Sequence, residues 1–243
     1  MDREELILRE FNLYPLWQQR GQVAPAFTGM VREVTQTIVT QGDNVEPQND
    51  HIGNIKELNG SQLQSAVKNC TACSLRAGCT QPILGAGEEQ ANWLVIGDVP
   101  SIEEDTQNAL FVGQAGILLD NMLTAIKLKR SSNVYLTNLI KCHPHDGRPI
   151  TVAEVAQCLP YLERQITLIQ PKLIMVLGKL AALTLLGSNT AVTTLRGKVH
   201  DYQGIPLIVT YHPDYLLRAP LEKAKAWQDL RLAVSTMQGV SEV

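Results

Sequence analysis

Cys70-Thr71-Ala72-Cys73 is a C-x-x-C pair, and Cys142 and Cys158 follow much later in the chain with fifteen residues between them. Four thiolates drawn from two distant segments can close around one metal centre. Zinc accepts four cysteines, but its ribbons generally use two C-x-x-C pairs. One pair plus two singles leaves room for a larger body such as an iron–sulfur cluster. Zinc and unrelated buried cysteines stay open on spacing alone. Cys79, the fifth cysteine, reads as a small buried hydrophobe.

A second set of polar residues follows short apolar runs. Gly97-Asp98-Val99-Pro100-Ser101 comes after Trp93-Leu94-Val95-Ile96, with the acids Glu103, Glu104 and Asp105 next. Phe111-Val112-Gly113-Gln114-Ala115-Gly116 sets an aromatic before small residues, a pattern that can make a flat platform with backbone close by. Asn138 ends Val134-Tyr135-Leu136-Thr137, and His212 stands in Tyr211-His212-Pro213 after Leu207-Ile208-Val209-Thr210. A lone Asn commonly caps a helix and a lone His is commonly just packed. Four such residues at successive strand ends are harder to dismiss, because one sheet edge collects them.

The elements that must position them are an alternation of strands and helices. Four apolar runs, the three above and Leu173-Ile174-Met175-Val176-Leu177, suit buried parallel strands. Helical spacing runs over Leu118 to Lys127, after Gly178 to Leu186, and over Lys223 to Met237. Thr151 with Glu154 three residues on predicts a capping box for a helix reaching about Gln170. The expected fold class is α/β: a three-layer α/β/α sandwich with a central, mostly parallel four-stranded sheet, its site at the strand-end loops. Ahead of it, residues 1–21 read as an amphipathic helix. Residues 22–60, rich in Gln, Thr, Asn and Gly, read as a flexible linker, and 61–238 as the organised domain.

The chain has 243 residues, which accommodates one sizeable domain and a tail. No run approaches the ~18 to 20 apolar residues of a membrane span, and the acidic start Met1-Asp2-Arg3-Glu4-Glu5 lacks a secretion pattern. The cytoplasm is the expected compartment. Net charge is −3, unevenly spread: residues 1–61 hold five basic against nine acidic residues, while residues 62–241 hold sixteen against fourteen. That slight positive excess leaves room for a small footprint on DNA without predicting a polyelectrolyte binder.

Taken in order from about Asn69 to Leu230, these pieces resemble family 4, the iron–sulfur branch, of the uracil-DNA glycosylase superfamily. The matching segments are the Cys70/Cys73 pair, Gly97 to Ser101 with Glu103-Glu104-Asp105, and Phe111 to Gly116 with Leu118-Leu119-Asp120. Thr137 to Cys142, Cys158 to Leu162, Leu177-Gly178, Leu195-Arg196-Gly197 and Tyr211-His212-Pro213 complete them. The resemblance implies a monomer that removes uracil from DNA by flipping the nucleotide into a tight pocket. It implies a 4Fe–4S cluster on Cys70, Cys73, Cys142 and Cys158. Phe111 would stack on the base, Asn138 would read its edge, and His212 would donate to O2 as charge develops there. Gly97 and Ser101 would line the pocket. Tyr215 and Leu216 belong to the loop that wedges into the gap, with Arg196 and Arg218 as phosphate contacts.

The chain departs from that pattern at three places. Asp98 stands where the family usually has Glu, Ser101 where it has Gly, and Asn108-Ala109-Leu110 where it has Gly-Arg-Pro. Asp98 keeps the carboxylate for activating water, and Glu104 is the second candidate. A binding module that keeps fold and cluster but has lost catalysis is the competing reading. In it the amphipathic N-terminal helix docks a protein partner; packing on its own domain is that helix's blander role.

Overall fold

The computed structural model describes residues 55–145 and 147–241. The helix expected at 1–21, and the expected linker as far as residue 54, lie outside the described residues. Ile55 is already part of the fold, 2% exposed and packed with Leu63, Val67 and Tyr161. The organised region therefore starts earlier than the boundary expected at residue 61.

The strands are β1 (Ala86–Gly87), β2 (Trp93–Gly97), β3 (Val134–Asn138), β4 (Leu173–Leu177), β5 (Val199–Tyr202) and β6 (Ile205–Thr210). They form one sheet in the order β1-β3-β2-β4-β6-β5. The central four are parallel, and every residue of β2, β3 and β4 is buried. Strands covered on both faces read as continuous apolar runs, which is why those four are visible in the sequence.

The sheet has six strands, not the four expected, because β1 and β5 add antiparallel edges on β3 and β6. β1 is two exposed residues and β5 is half polar, so neither has an apolar signature. Short, polar edges are a common way to blunt a sheet against further pairing.

The helices are α1 (Gly60–Lys68), α2 (Ile102–Gln107), α3 (Gly113–Ala125), α4 (Val152–Ile169), α5 (Lys179–Leu186), α6 (Val192–Leu195), α7 (Pro213–Arg218) and α8 (Lys223–Ser241). Side-chain alternation along the strands divides the core in two. Leu94, Ile96, Ile174, Val176, Leu207 and Val209 pack with Leu162 and Ile166 of α4 and Ala181 of α5. Trp93, Val95, Met175 and Ile208 pack with Leu119 and Leu123 of α3 and Leu230 of α8. This is a three-layer sandwich. Each fully buried Leu or Ile contributes about 1.5–3 kcal/mol, so the sheet supplies a rigid base for the loops at its ends. Among the described residues no helix is long and apolar enough to cross a membrane.

Along the parallel strands the order is β3-β2-β4-β6, so the chain leaves β2 toward one side and returns on the other. That switch opens a crevice at the carboxyl ends of the strands. Register fixes what faces it, pairing Gly97 with Asn138 and Leu177 with Thr210. Beyond the strand ends Leu139 N donates to Gly97 O at 2.9 Å and Ile140 N to Asp98 O at 3.1 Å. The two loops are held edge to edge.

Candidate functional site

Asn138 closes β3 with 1% of its surface exposed, and neither its Oδ1 nor its Nδ2 has a hydrogen-bond partner. A buried amide with both ends unsatisfied costs several kcal/mol unless something else completes it. Beside it, a Cβ added to Gly97 would collide with Asn138 Oδ1 and with the Phe111 ring. Only glycine leaves that space, and the three residues form one cradle: an amide edge, an aromatic ring and bare backbone.

Phe111 reaches this position with φ at 49°, a conformation unusual for a bulky side chain. Its N–H donates to Glu104 Oε1 at 2.5 Å, and its carbonyl accepts from Arg130 Nη2 at 2.6 Å. Arg130 also donates to Leu110 O at 2.7 Å and Gly116 O at 3.0 Å, and its Nε pairs with Asp120. The strained turn is thus clamped at both peptide groups, as strained site residues must be to persist. No local pattern pointed to Arg130, whose partners lie 10 to 20 residues away in the chain. Arg130→Met is expected to raise KM for the base-bearing substrate about 10-fold with kcat less affected, steady-state kinetics being the check.

Glu104 is therefore committed. Its second oxygen, Oε2, accepts from Ser101 N at 2.6 Å, while Ser101 Oγ accepts from Glu104 N at 3.2 Å. This reciprocal capping box starts α2, and a Ser-x-x-Glu spacing was there in the sequence to signal it. Ser101, expected in the pocket, is exposed and serves as the cap of α2. Buried Glu104 works on the backbone of Phe111, in contrast to the water-positioning role expected of it.

His212 precedes α7, its ring 5.9 Å from that of Phe111 between centroids. Its Nδ1 accepts from Asp214 N at 3.3 Å, which leaves the proton on Nε2. Burial lowers its pKa below that of a free histidine, with the nearby Asp98 charge opposing. Asp98 directs both oxygens at the start of α5, Oδ2 accepting from Lys179 N at 3.0 Å and Oδ1 from Ala181 N at 2.8 Å. Gly178, at φ 119°, allows this approach, since a Cβ there would strike the carboxylate. Burial raises the Asp98 pKa despite these donors and His212. Asp98, Gly178, Lys179, His212, Tyr215 and Arg218 line one open cleft.

The candidates for DNA contact separate. Tyr215 and Arg218 are exposed on α7 beside the cleft. Leu216 is 1% exposed and belongs to the core, so the apolar residue presented next to Tyr215 is Leu217. Arg196 is also spoken for: it pairs with buried Asp229, donates to Lys225 O at 2.6 Å, and lies 5.6 Å from the Tyr211 ring centre. Thr210 Oγ1 donates to the same Asp229 at 2.8 Å. Arg196 anchors the end of β6 instead of facing a phosphate.

On the α4 side of the sheet, Cys70, Cys73, Cys142 and Cys158 line a single cavity together with Lys141 and Tyr161. All are free thiols. Burial raises the pKa of Cys73 and pushes Cys158 up to about 11, so thiolates there call for a compensating cation. Among the described residues no three His, Cys, Asp or Glu side chains are arranged for a single metal ion. Cys79 is buried outside this set of four, hydrogen-bonded to Cys142 and Asp105. Lys141 was missed in the sequence, although a lysine inside Leu139-Ile140-Lys141-Cys142 is a visible anomaly.

Residues 84–231 match the model of the uracil DNA glycosylase superfamily, and the chain belongs to that superfamily. Within it, the chain is similar to proteins named type-4 uracil-DNA glycosylases. The Pyrobaculum aerophilum protein is 33% identical over 181 residues, covering 70% of this chain and 91% of its own. The Archaeoglobus fulgidus protein is 35% identical over 63% of this chain and 81% of its own, and that of Thermotoga maritima 37% over 64% and 82%.

Proposed function

We propose that this chain is a uracil-DNA glycosylase, hydrolysing the bond between a flipped uracil and its deoxyribose in base-excision repair. The observation that carries the reading is the Asn138 amide, buried and unpartnered at both ends beside Phe111. An amide that both donates and accepts complements the edge of uracil, while cytosine presents the opposite pattern at one position. Phe111 supplies the stacking face. As the glycosidic bond breaks, its electron pair moves onto the base, and the Nε2–H of His212 donates to the oxygen where charge accumulates. Asp98 retains lone pairs beyond its two α5 contacts, so it orients water for attack on the sugar carbon and offsets positive charge on the sugar. Its proton acceptance completes the hydrolysis.

Cys70, Cys73, Cys142 and Cys158 would hold a 4Fe–4S cluster; the four thiols lining one cavity support that assignment. When bound, such a cluster supplies iron–thiolate cross-links between the α1 end, the β3 end and α4. Tyr215, Leu217 and Arg218 provide the DNA-facing rim. A monomer in the cytoplasm, with residues 1–21 as the segment that would meet a protein partner, completes the proposal.

The test is uracil release from a DNA strand with one uracil, beside a thymine control and His212→Ala. Cleavage at uracil only, reduced about 100 to 1000-fold in the variant, is the expected result. No release by protein with its cluster loaded would overturn the reading.

The pH profile follows from Asp98. Its folded pKa lies above the 3.8 of an unperturbed aspartate, and that of His212 below the 6.5 of a free histidine. As pH falls, Asp98 is neutralised earlier than a free aspartate, while His212 stays neutral for longer than a free histidine. Uracil release is expected to lose activity on the acid side at a pH above 3.8. The same limb persisting in the residual activity of Asp98→Asn would assign it to another group.

A further inference from the structure

Lys141 is 2% exposed, and among the described residues no carboxylate is hydrogen-bonded to its Nζ. Its Nζ donates to Asn138 O at 2.6 Å, Gln165 Oε1 at 2.6 Å and Thr137 Oγ1 at 2.8 Å. An ammonium has three protons and no lone pair, so three acceptors use it completely. Thr137 passes its own proton to Leu84 O at 2.7 Å, and Gln165 Nε2 donates to the same carbonyl at 3.0 Å. The network is closed around the peptide that carries the Asn138 side chain.

The same residue faces the cysteines. Lys141 N donates to Cys158 Sγ at 3.3 Å, Lys141 lines the four-cysteine cavity, and Cys142 is its chain neighbour. Its carbonyl accepts from Ile83 N at 2.8 Å, so the backbone is tied on that side as well. Among the described residues no hydrogen bond sets the orientation of the Asn138 side chain. Packing and the backbone beneath it aim the amide, and Lys141 holds that backbone through its bond to Asn138 O.

We propose that Lys141 is a positioning residue that couples the cysteine centre to the base-reading amide of Asn138. The proposal rests on the uracil-reading role given above to Asn138. The hydrogen bond from Lys141 N to Cys158 Sγ ties the Lys141 segment to the cysteine centre; Lys141 Nζ in turn fixes the Asn138 peptide. Disturbing either end loosens the other. The coupling runs both ways, as any linkage between two sites must.

Lys141→Met keeps an unbranched side chain, one atom shorter, and removes the donors at Nζ. Thr137→Val removes one acceptor and leaves the lysine in place, which covers the case in which the first variant fails to fold. Both are made in the full chain and given two readouts. The first is the rate at which a ferrous chelator bleaches the visible absorbance. The second is single-turnover uracil release together with KM. For Lys141→Met, release is expected to fall about 10 to 100-fold with KM within about threefold, as a displaced but still present reader would give. Bleaching is expected to quicken several-fold, and Thr137→Val to move both readouts the same way by less. Unchanged release with faster bleaching, or slower release with unchanged bleaching, breaks the coupling and overturns the proposal. Failure of the unsubstituted protein to release uracil would instead overturn the functional reading, while the bleaching comparison would still report whether Lys141 secures the cysteine centre.

Discussion

Asn138→Ala is expected to reduce kcat/KM for uracil release by about 100 to 10,000-fold and to leave the melting temperature unchanged or raised. The two halves of that result have one cause. Sites built to hydrogen-bond a polar substrate group owe very large discrimination to those bonds, because the protein's own buried groups go unpaired without them. In the free protein both amide atoms of Asn138 are already in that unpaired state. Truncation therefore breaks no internal hydrogen bond and removes two unsatisfied polar atoms, against which stands only a small new cavity. An ordinary buried asparagine behaves in the opposite way, losing stability along with its partners. Thermal unfolding and steady-state kinetics on the same preparations separate the cases: a large drop in melting temperature would show that Asn138 has a structural role, and unchanged kinetics would remove it from base recognition.

Much of this site was legible before any coordinates, and the reasons are specific. β2, β3, β4 and β6 are buried on both faces or nearly so, and such strands are spelled as apolar runs whose last residues must lie at one edge. Gly97, Asn138 and His212 could be placed together on that ground alone. What sequence could not give was the use of each polar group. Leu216 and Leu217 are neighbours in the chain, but about 100° of helical rotation sends one into the core and the other outward. Arg196 and Arg218 are both basic residues near the cleft. Only the fold shows that Asp229, from a helix that follows much later, has claimed the first. Glu104 and Ser101 read as site residues because they sit in the site loop, yet their local spacing is that of a helix cap. The short-range rule was the better guide there. Arg130 acts through contacts to residues on other segments, so no local pattern announces it, and Lys141, though an anomaly in an apolar run, carries no local sign of its Gln165 contact.

Cys142→Ala is expected to cost the protein its visible absorbance, several degrees or more of melting temperature, and most of its uracil release, whereas Cys79→Ala is expected to keep the colour and most of the activity. The contrast tests the division of the five thiols. Cys142 lines the cavity with Cys70, Cys73 and Cys158, while Cys79 lies behind it against Asp105. Without a metal centre the Cys70–Cys73 segment is joined to α4 by Ser74 and Arg148, both bonded to Glu154, and by packing of Cys70 and α1 against Tyr161. Arg148 holds the Glu154 carboxyl well below the usual carboxylate range, yet its own side chain is substantially exposed, so that tie is worth little against solvent. Iron–thiolate bonds would be the principal cross-link between α1 and the end of β3, and ligand binding of this kind is folding free energy. Since domains are held by only about 5–15 kcal/mol in total, losing one ligand of four is expected to loosen the whole segment. Asn138 stands four residues before Cys142, with Lys141 between them bonded to its peptide. The activity loss is thus a consequence of the lost cross-link, and a Cys142→Ala protein with normal melting and normal release would show that the cysteine centre does not support the base-reading loop.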